Sequence, residues 1–369
     1  MSSEWQEISG RLLRPGLRET PGYHVQESRG LLKLDAMESP FGWPPELRAE
    51  LAARLEHLDI QRYPDPRADA LRELLKQAFH IPARWDIVLG NGSDELIQIL
   101  MLALAGPRLR VMAPGPGFVM FRVIAGWQGI PFEEVPLAED FALDVDAMRS
   151  VLSDGLPRLV FLACPNNPTG NLFDRAALEA VLEAARGSAL VVIDEAYWAF
   201  ASRDHIDLLD RYPNLIVMRT LSKLGLAGLR LGFLVGHPDW IREFDKLRLP
   251  YNVSCLNQAA GEVALRHFGL LRAQTRLIVE ERARLHERLQ QDPRLQVWPS
   301  EANFLLIRLR NAGARAVHAA MIRHGVLVKC LDGTHPQLAD CLRLTVSSAA
   351  ENAAMCAALE AALAEAAGG

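Results

Sequence analysis

Short, continuous apolar runs punctuate the first two-thirds of the chain. Ile87–Leu89, Leu109–Ala113, Leu159–Cys164, Leu190–Ile193, Leu215–Arg219 and Leu231–Val235 each read as a strand. Loops containing Gly, Pro or Asn follow them, and amphipathic stretches such as Asp94–Leu104 and Arg175–Ala185 lie between several. Strands that are apolar on both faces belong in a mostly parallel sheet sandwiched by helices. Beyond about Pro250 the texture changes. Gln258 to Leu289 carries apolar residues at helical spacing; strand candidates Phe304–Arg308 and Leu342–Val346 follow, with a helical Ala312–His324 between them and an Ala-rich helix from Ala349. The pattern predicts an α/β protein in three parts: an N-terminal arm over 1–35 with little periodicity, a large domain over 36–248 and a smaller α+β domain over 249–369.

Composition narrows the class. A chain of 369 residues is too long for one small module, and with 50% hydrophobic residues it can bury enough surface to offset its ordering entropy, which excludes wholesale disorder. The net charge of −5 argues against a nucleic-acid or anionic-membrane partner. Five scattered cysteines without CxxC spacing read as reduced thiols, with neither a disulfide framework nor a zinc site. The stretch MSSEWQEISGRLLRPG has no apolar core, and Leu96 to Ala105, the most apolar segment, is about half the length needed to span a bilayer. The expectation is a soluble, cytoplasmic protein that acts on small molecules. Only five of its 40 basic residues are lysines, so any chemistry that needs a primary amine has few candidates.

Four loops carry candidate chemistry. Gly90-Asn91-Gly92-Ser93-Asp94-Glu95 follows a strand and opens a helix, where free N–H groups and the helix dipole favour an anion. Taken alone it reads first as an ordinary turn capped by Ser93 or Asp94, and it is neither a dinucleotide fingerprint nor a P-loop. Cys164-Pro165-Asn166-Asn167-Pro168-Thr169-Gly170 is either a plain strand-to-helix turn or a rigid loop offering the Asn167 amide at a strand's carboxyl end. Asp194 closes a very apolar strand and needs a partner to stay charged: a helix N–H, a metal or a cationic ring nitrogen, though no cluster nearby has metal-ligand spacing. Lys223, in Arg219-Thr220-Leu221-Ser222-Lys223, stands at the end of an interior strand, a costly place for a lysine that merely packs, and Arg230 follows.

Taken together, an anion-binding helix start, a carboxylate for a ring nitrogen, an amide for a ring oxygen and an imine-forming lysine describe a pyridoxal phosphate pocket. The sequence resembles the fold-type I pyridoxal-phosphate enzymes and, among them, is similar to the histidinol-phosphate aminotransferases. RYPDP (62–66), NGSDE (91–95), NNPTG (166–170), DEAY (194–197), RTLSK (219–223) and AGLRLG (227–232) occur in family order over nearly the whole chain. The resemblance implies that Lys223 carries the cofactor covalently and that Asp194 pairs with its ring nitrogen. It implies that Asn167 and Tyr197 bond its phenolic oxygen, that Phe118 stacks on its ring, and that Ser93, Asp94, Ser222 and Arg230 hold its phosphate. Tyr63 is implied to reach the phosphate of a partner subunit, making the active unit a homodimer. Arg343 is implied to bind substrate anions, with Tyr23, Asn167 and Lys329 near the substrate.

This sequence departs from the family's pattern in places. Met37-Glu38-Ser39-Pro40 stands where Asn-Glu-Asn-Pro is usual, Phe118 replaces a stacking tyrosine, Lys329 replaces an arginine, and the stretch from Lys223 to Arg230 is one residue shorter than in many members. The activity implied is interconversion of histidinol phosphate and 2-oxoglutarate with imidazole acetol phosphate and glutamate, in histidine biosynthesis. The alternatives are an aromatic amino-acid aminotransferase, a threonine-phosphate decarboxylase and a catalytically silent cofactor-binding regulator.

Overall fold

The continuous apolar runs become the interior of one sheet because both of its faces are covered. The computed structural model describes residues 2–14, 17–18, 22 and 26–368. After a two-residue strand β1 (Leu32–Lys33), the strands are β2 (Asp86–Asn91), β3 (Arg110–Gly115), β4 (Phe132–Pro136), β5 (Arg158–Ala163), β6 (Ala189–Asp194), β7 (Leu215–Thr220) and β8 (Leu231–Gly236). β2 to β8 form a seven-stranded sheet in the order β2-β8-β7-β6-β5-β3-β4. Every neighbouring pair from β7 to β4 is parallel, whereas β8 runs antiparallel to both β7 and β2. Successive residues alternate between two cores: Val88, Val111, Phe161, Val192 and Met218 face one layer, and Ile87, Met112, Leu162, Ile193 and Phe233 the other.

The second sheet comprises β9 (Leu295–Val297), β10 (Phe304–Leu309), β12 (Lys329–Cys330) and β13 (Cys341–Thr345), antiparallel in the order β12-β13-β10-β9. Helices Phe268–Gln290, Ala314–Arg323 and Ala349–Gly368 accompany it. The remaining short strand, β11 (Val326–Leu327), pairs in parallel with β1, so the chain just before the large domain is stitched to the small one. The architecture is the expected one: a large α/β unit with a mostly parallel sheet and a smaller C-terminal α+β unit.

Local differences have physical reasons. β4 escapes a search for apolar runs because it is an edge strand reading Phe-Glu-Glu-Val-Pro, in which Val135 alone is buried. The arm contains a helix, Ser2–Leu12, whose apolar residues Trp5, Ile8 and Leu12 recur at helical spacing over a single short stretch and stay exposed. The long helical stretch after Pro250 is two helices, Cys255–Arg266 and Phe268–Gln290, broken at His267. Cys255–Arg266 packs on Pro45–Glu56 and Asp69–Ala78. No helix among the described residues is long and apolar enough to cross a membrane.

Candidate active site

Open parallel sheets present ligand sites at the carboxyl ends of their strands. A cleft of about 600 Å³ opens there, walled by Ser93 and Asp94 after β2, Phe118 after β3, Pro165 and Asn167 after β5, Asp194 at the end of β6, and Thr220, Ser222 and Lys223 at β7. Because β8 is reversed, its first residue rather than its last lies at this rim, which brings Arg230 into the same wall. Met37 completes it from the segment after β1.

One end of the cleft is built for an anion. Helix Ser93–Ala103 begins after Gly92 without a side-chain cap, so neither Ser93 nor Asp94 is the cap and the first-turn N–H groups are left for a ligand. Glu95 turns back, its carboxylate accepting from the Asn91 N–H (2.5 Å) and Asn252 Nδ2 (2.7 Å). Arg230 lies across this helix start, with Nη2 3.4 Å from Asp94 Oδ2 and Nη1 3.5 Å from Ser222 Oγ. Glycine suits both turns here: Gly92 adopts φ +83°, which side-chain-bearing residues rarely adopt, and a Cβ on Gly232 would lie 3.0 Å from the backbone Gly92 C and Ser93 N.

Asp194 lies deep in the cleft. It is 4% exposed, its Oδ1 accepts the Ala196 N–H at 3.0 Å, and among the described residues no basic side chain forms an ion pair with it. Burial, reinforced by nearby Asp94 and Glu195, pushes its carboxyl up to about 7. Asn167 Nδ2 donates to Tyr197 Oη at 3.2 Å, and burial holds that phenol well above its usual range, so it stays protonated. Lys223 Nζ lies 5.9 Å from the Tyr197 ring centroid and donates to the Ala36 carbonyl at 2.9 Å. Burial, with Arg343 and Arg230 adding repulsion, lowers the Lys223 amine to about 8.

The segment after β1 ties the cleft to the small domain. Four successive carbonyls, Leu34 to Met37, accept from Thr345 Oγ1 (2.5 Å), Arg343 Nη2 (2.8 Å), Lys223 Nζ (2.9 Å) and Asn303 Nδ2 (3.0 Å). Buried Arg343 also donates through Nη1 to Asn167 Oδ1 at 2.5 Å and lies over the Phe304 ring.

This donor set matches pyridoxal phosphate: a cup of N–H groups and a guanidinium for the phosphate, a buried carboxyl lacking a cation for a pyridinium, an amide and phenol for the ring oxygen, and an amine of lowered pKa. The aminotransferase class I and II family model matches residues 29–360. A histidinol-phosphate aminotransferase 2 of Nitrosococcus oceani is 49% identical over 349 residues, covering 95% of this chain and 96% of that one. The chain belongs to the histidinol-phosphate aminotransferase family. A histidinol-phosphate aminotransferase of Sinorhizobium meliloti, solved in complex with pyridoxal-5'-phosphate, superposes with a TM-score of 0.81 at 29% identity, covering 91% of this chain and 92% of that one. At 22% identity and TM-score 0.76, an L-threonine-O-3-phosphate decarboxylase from Porphyromonas gingivalis covers 90% of this chain and 100% of that one, a likeness of fold alone.

Within this family member, Lys223, Asp194, Asn167, Tyr197, Phe118, Ser93, Asp94, Ser222 and Arg230 gather around one cleft. Arg343 reaches it through Asn167. Lys329 stands beside Arg343 in β-sheet register, outside the cleft wall. Tyr63 lies away from the wall, 80% exposed and stacked on Tyr251 at 4.4 Å between centroids. Tyr23 lies outside the described residues.

Sequence reasoning left three features unassigned. Thr220 Oγ1 accepts the Ser222 N–H at 3.2 Å and approaches Ser222 Oγ at 2.9 Å, orienting the loop that carries Lys223. Behind Asp194, Glu195 is buried with Arg219 (1% exposed): Arg219 Nε donates to Glu195 Oε2 at 2.8 Å, Nη2 lies 2.7 Å from the same oxygen as an ion pair, and His205 Nδ1 lies 2.9 Å from Glu195 Oε1. A costly buried charge at both DEAY and RTLSK was the available signal for that pair. The third, Met37, is marked in the sequence only as a departure from the family's Asn-Glu-Asn-Pro pattern, with no role attached.

Proposed function

We infer that this chain uses pyridoxal phosphate to exchange an amino group between histidinol phosphate and 2-oxoglutarate. The single observation that carries the reading is the placement of the Lys223 amine and the unpaired Asp194 carboxyl in one cleft with the Asn167–Tyr197 pair. When bound, the cofactor supplies an electron sink for the pair left on the substrate Cα. Asp194 keeps that sink cationic: opposite a protonated ring nitrogen its carboxyl gains the counter-charge it lacks, and ionises. Lys223 would hold the cofactor, and its Nζ, lowered to about 8, is far more often neutral near pH 7 than an ordinary lysine, so it could take and return a proton at the substrate Cα. Tyr197 and Asn167 orient the ring through its oxygen, and Ser93, Asp94, Ser222 and Arg230 grip the phosphate.

Arg343 gives the site its reach over two unlike substrates. A planar guanidinium pairs with a phosphate or with a carboxylate, so it can serve histidinol phosphate in one half-reaction and glutamate in the other. Its bonds to Asn167 and the Asp35 carbonyl keep it pointed at the cleft. The exposed Tyr63–Tyr251 stack supports a homodimer in which Tyr63 serves the partner's cofactor phosphate. Five free cysteines accord with a cytoplasmic setting.

The test is an amino-donor panel on the purified holoenzyme, followed by the cofactor's absorption and by glutamate formation. Histidinol phosphate with 2-oxoglutarate should give the highest kcat/KM. Higher kcat/KM for phenylalanine or tyrosine would replace this reading with an aromatic aminotransferase. Release of CO₂ from threonine phosphate without glutamate would replace it with a decarboxylase, and cofactor binding with no half-reaction would indicate a regulator.

A further inference from the structure

All the cleft-wall residues but one come from the rim of the large sheet, between 93 and 230; the exception is Met37. Its backbone is clamped by the small domain: the Met37 N–H donates to Thr345 Oγ1 at 3.3 Å, and its carbonyl accepts from Asn303 Nδ2 at 3.0 Å. Thr345 and Asn303 are both buried. The clamp holds Met37 at φ +53°, in the left-handed region that an unbranched L side chain adopts only at a cost and that Asn or Gly adopts readily. Strain of this kind persists where the surroundings over-determine it, and it concentrates at functional positions.

What the strained backbone achieves is the direction of the side chain. Met37 is 7% exposed and forms part of the cleft wall together with Phe118 and Lys223. The two carbonyls immediately before it hold Arg343 and Lys223, so the Met37 backbone is tied to both, and its side chain shares the cleft wall with Lys223. The groups proposed to hold the cofactor come from the sheet rim, whereas Met37 comes from the segment tied to the small domain, which puts it on the substrate's side. A polarisable thioether makes favourable contacts with the edge of a planar ring and offers nothing specific to a short carboxylate chain.

We propose that Met37 is a specificity-determining residue whose side chain forms the wall against which a ring-bearing amino donor packs. The inference rests on the proposed function insofar as that donor is an imidazole-bearing amino phosphate. The experiment compares wild type, Met37→Asn and Met37→Leu as holoenzymes, measuring kcat and KM for histidinol phosphate, phenylalanine and glutamate, together with the cofactor Kd and the Tm of the cofactor-free protein.

Met37→Asn should lower the ratio of kcat/KM for ring-bearing donors to kcat/KM for glutamate about tenfold, mainly through KM, corresponding to about 1.4 kcal/mol. Its cofactor Kd should stay close to wild type and its Tm should change little, because the relief Asn brings to the left-handed backbone offsets the apolar burial lost with the thioether. Met37→Leu, of similar volume, should restore most of the ratio. An equal loss for glutamate and for ring-bearing donors, a weakened cofactor Kd, or an unchanged ratio would each overturn the proposal. A wild type that accepts phenylalanine but not histidinol phosphate would overturn the proposed function alone, and the Met37 ratio would then be read on phenylalanine. A wild type that accepts no ring-bearing donor would overturn both.

Discussion

Replacing Asp194 with asparagine should stabilise the cofactor-free protein at alkaline pH relative to acid, while crippling the holoenzyme. The carboxyl is buried, lacks a cationic partner among the described residues and is pushed from 3.8 to about 7. A folded-state pKa above the unfolded value means that the wild-type stability contribution is fully present below about pH 4 and is lost as pH rises through about 7. A carboxyl raised from 3.8 to about 7 loses about 4 kcal/mol of stabilisation between pH 4 and pH 8, at about 1.4 kcal/mol for each tenfold change in proton affinity. Asparagine keeps an oxygen for the Ala196 N–H and does not titrate, so it lacks this trend. Urea unfolding of both cofactor-free proteins from pH 4 to pH 8 measures it: the difference in unfolding free energy should move towards the variant by about 4 kcal/mol across that span. Parallel curves for the two proteins would refute the claim that this carboxyl is desolvated and unpaired. In the holoenzyme the same substitution removes the ring nitrogen's counter-charge, and kcat should fall about a hundredfold or more.

Three further outcomes are expected. Lys223→Ala should abolish amino transfer while leaving a folded protein, checked by half-reaction absorbance and circular dichroism; measurable turnover would remove the basis of the assignment. In the cofactor-free wild type, acylation of Lys223 followed by mass spectrometry should rise with an apparent pKa near 8, below that of an ordinary lysine, because burial disfavours its charged form. Arg219→Met should cost about 3–5 kcal/mol in chemical denaturation, since Glu195 is left buried without its guanidinium, and Glu195→Gln in the same chain should recover much of that loss.

The large sheet is legible because each interior strand must be apolar on both faces, a signal carried by single residues such as Val160 and Phe161. Lys223 and Asp194 are legible for the opposite reason, since charges at the ends of such runs need a chemical excuse. β4 was hidden by the glutamates an edge strand tolerates, and helix Ser2–Leu12 by having almost nothing to bury. The segment from Leu34 to Met37 was unreadable because it acts through carbonyls, which every residue possesses; only the fold reveals that Thr345, Arg343, Lys223 and Asn303 converge on them. Met37 and Arg230 share a further obstacle: both adopt positive φ without glycine or asparagine to mark it.

The reversed direction of β8 has a mechanical consequence. Lys223, Ser222 and Arg230 all ride on the single short connection 221–230, which leaves the rim at Thr220 and returns to it at Leu231. An ordinary parallel crossover would send the chain to the far edge of the sheet before returning. Here Lys223 and Arg230 are tethered by a few peptide units, so a deletion or insertion in this loop would shift both at once. Loop length in that stretch acts as a gauge of the spacing between the reactive end and the anchored end of whatever the cleft holds.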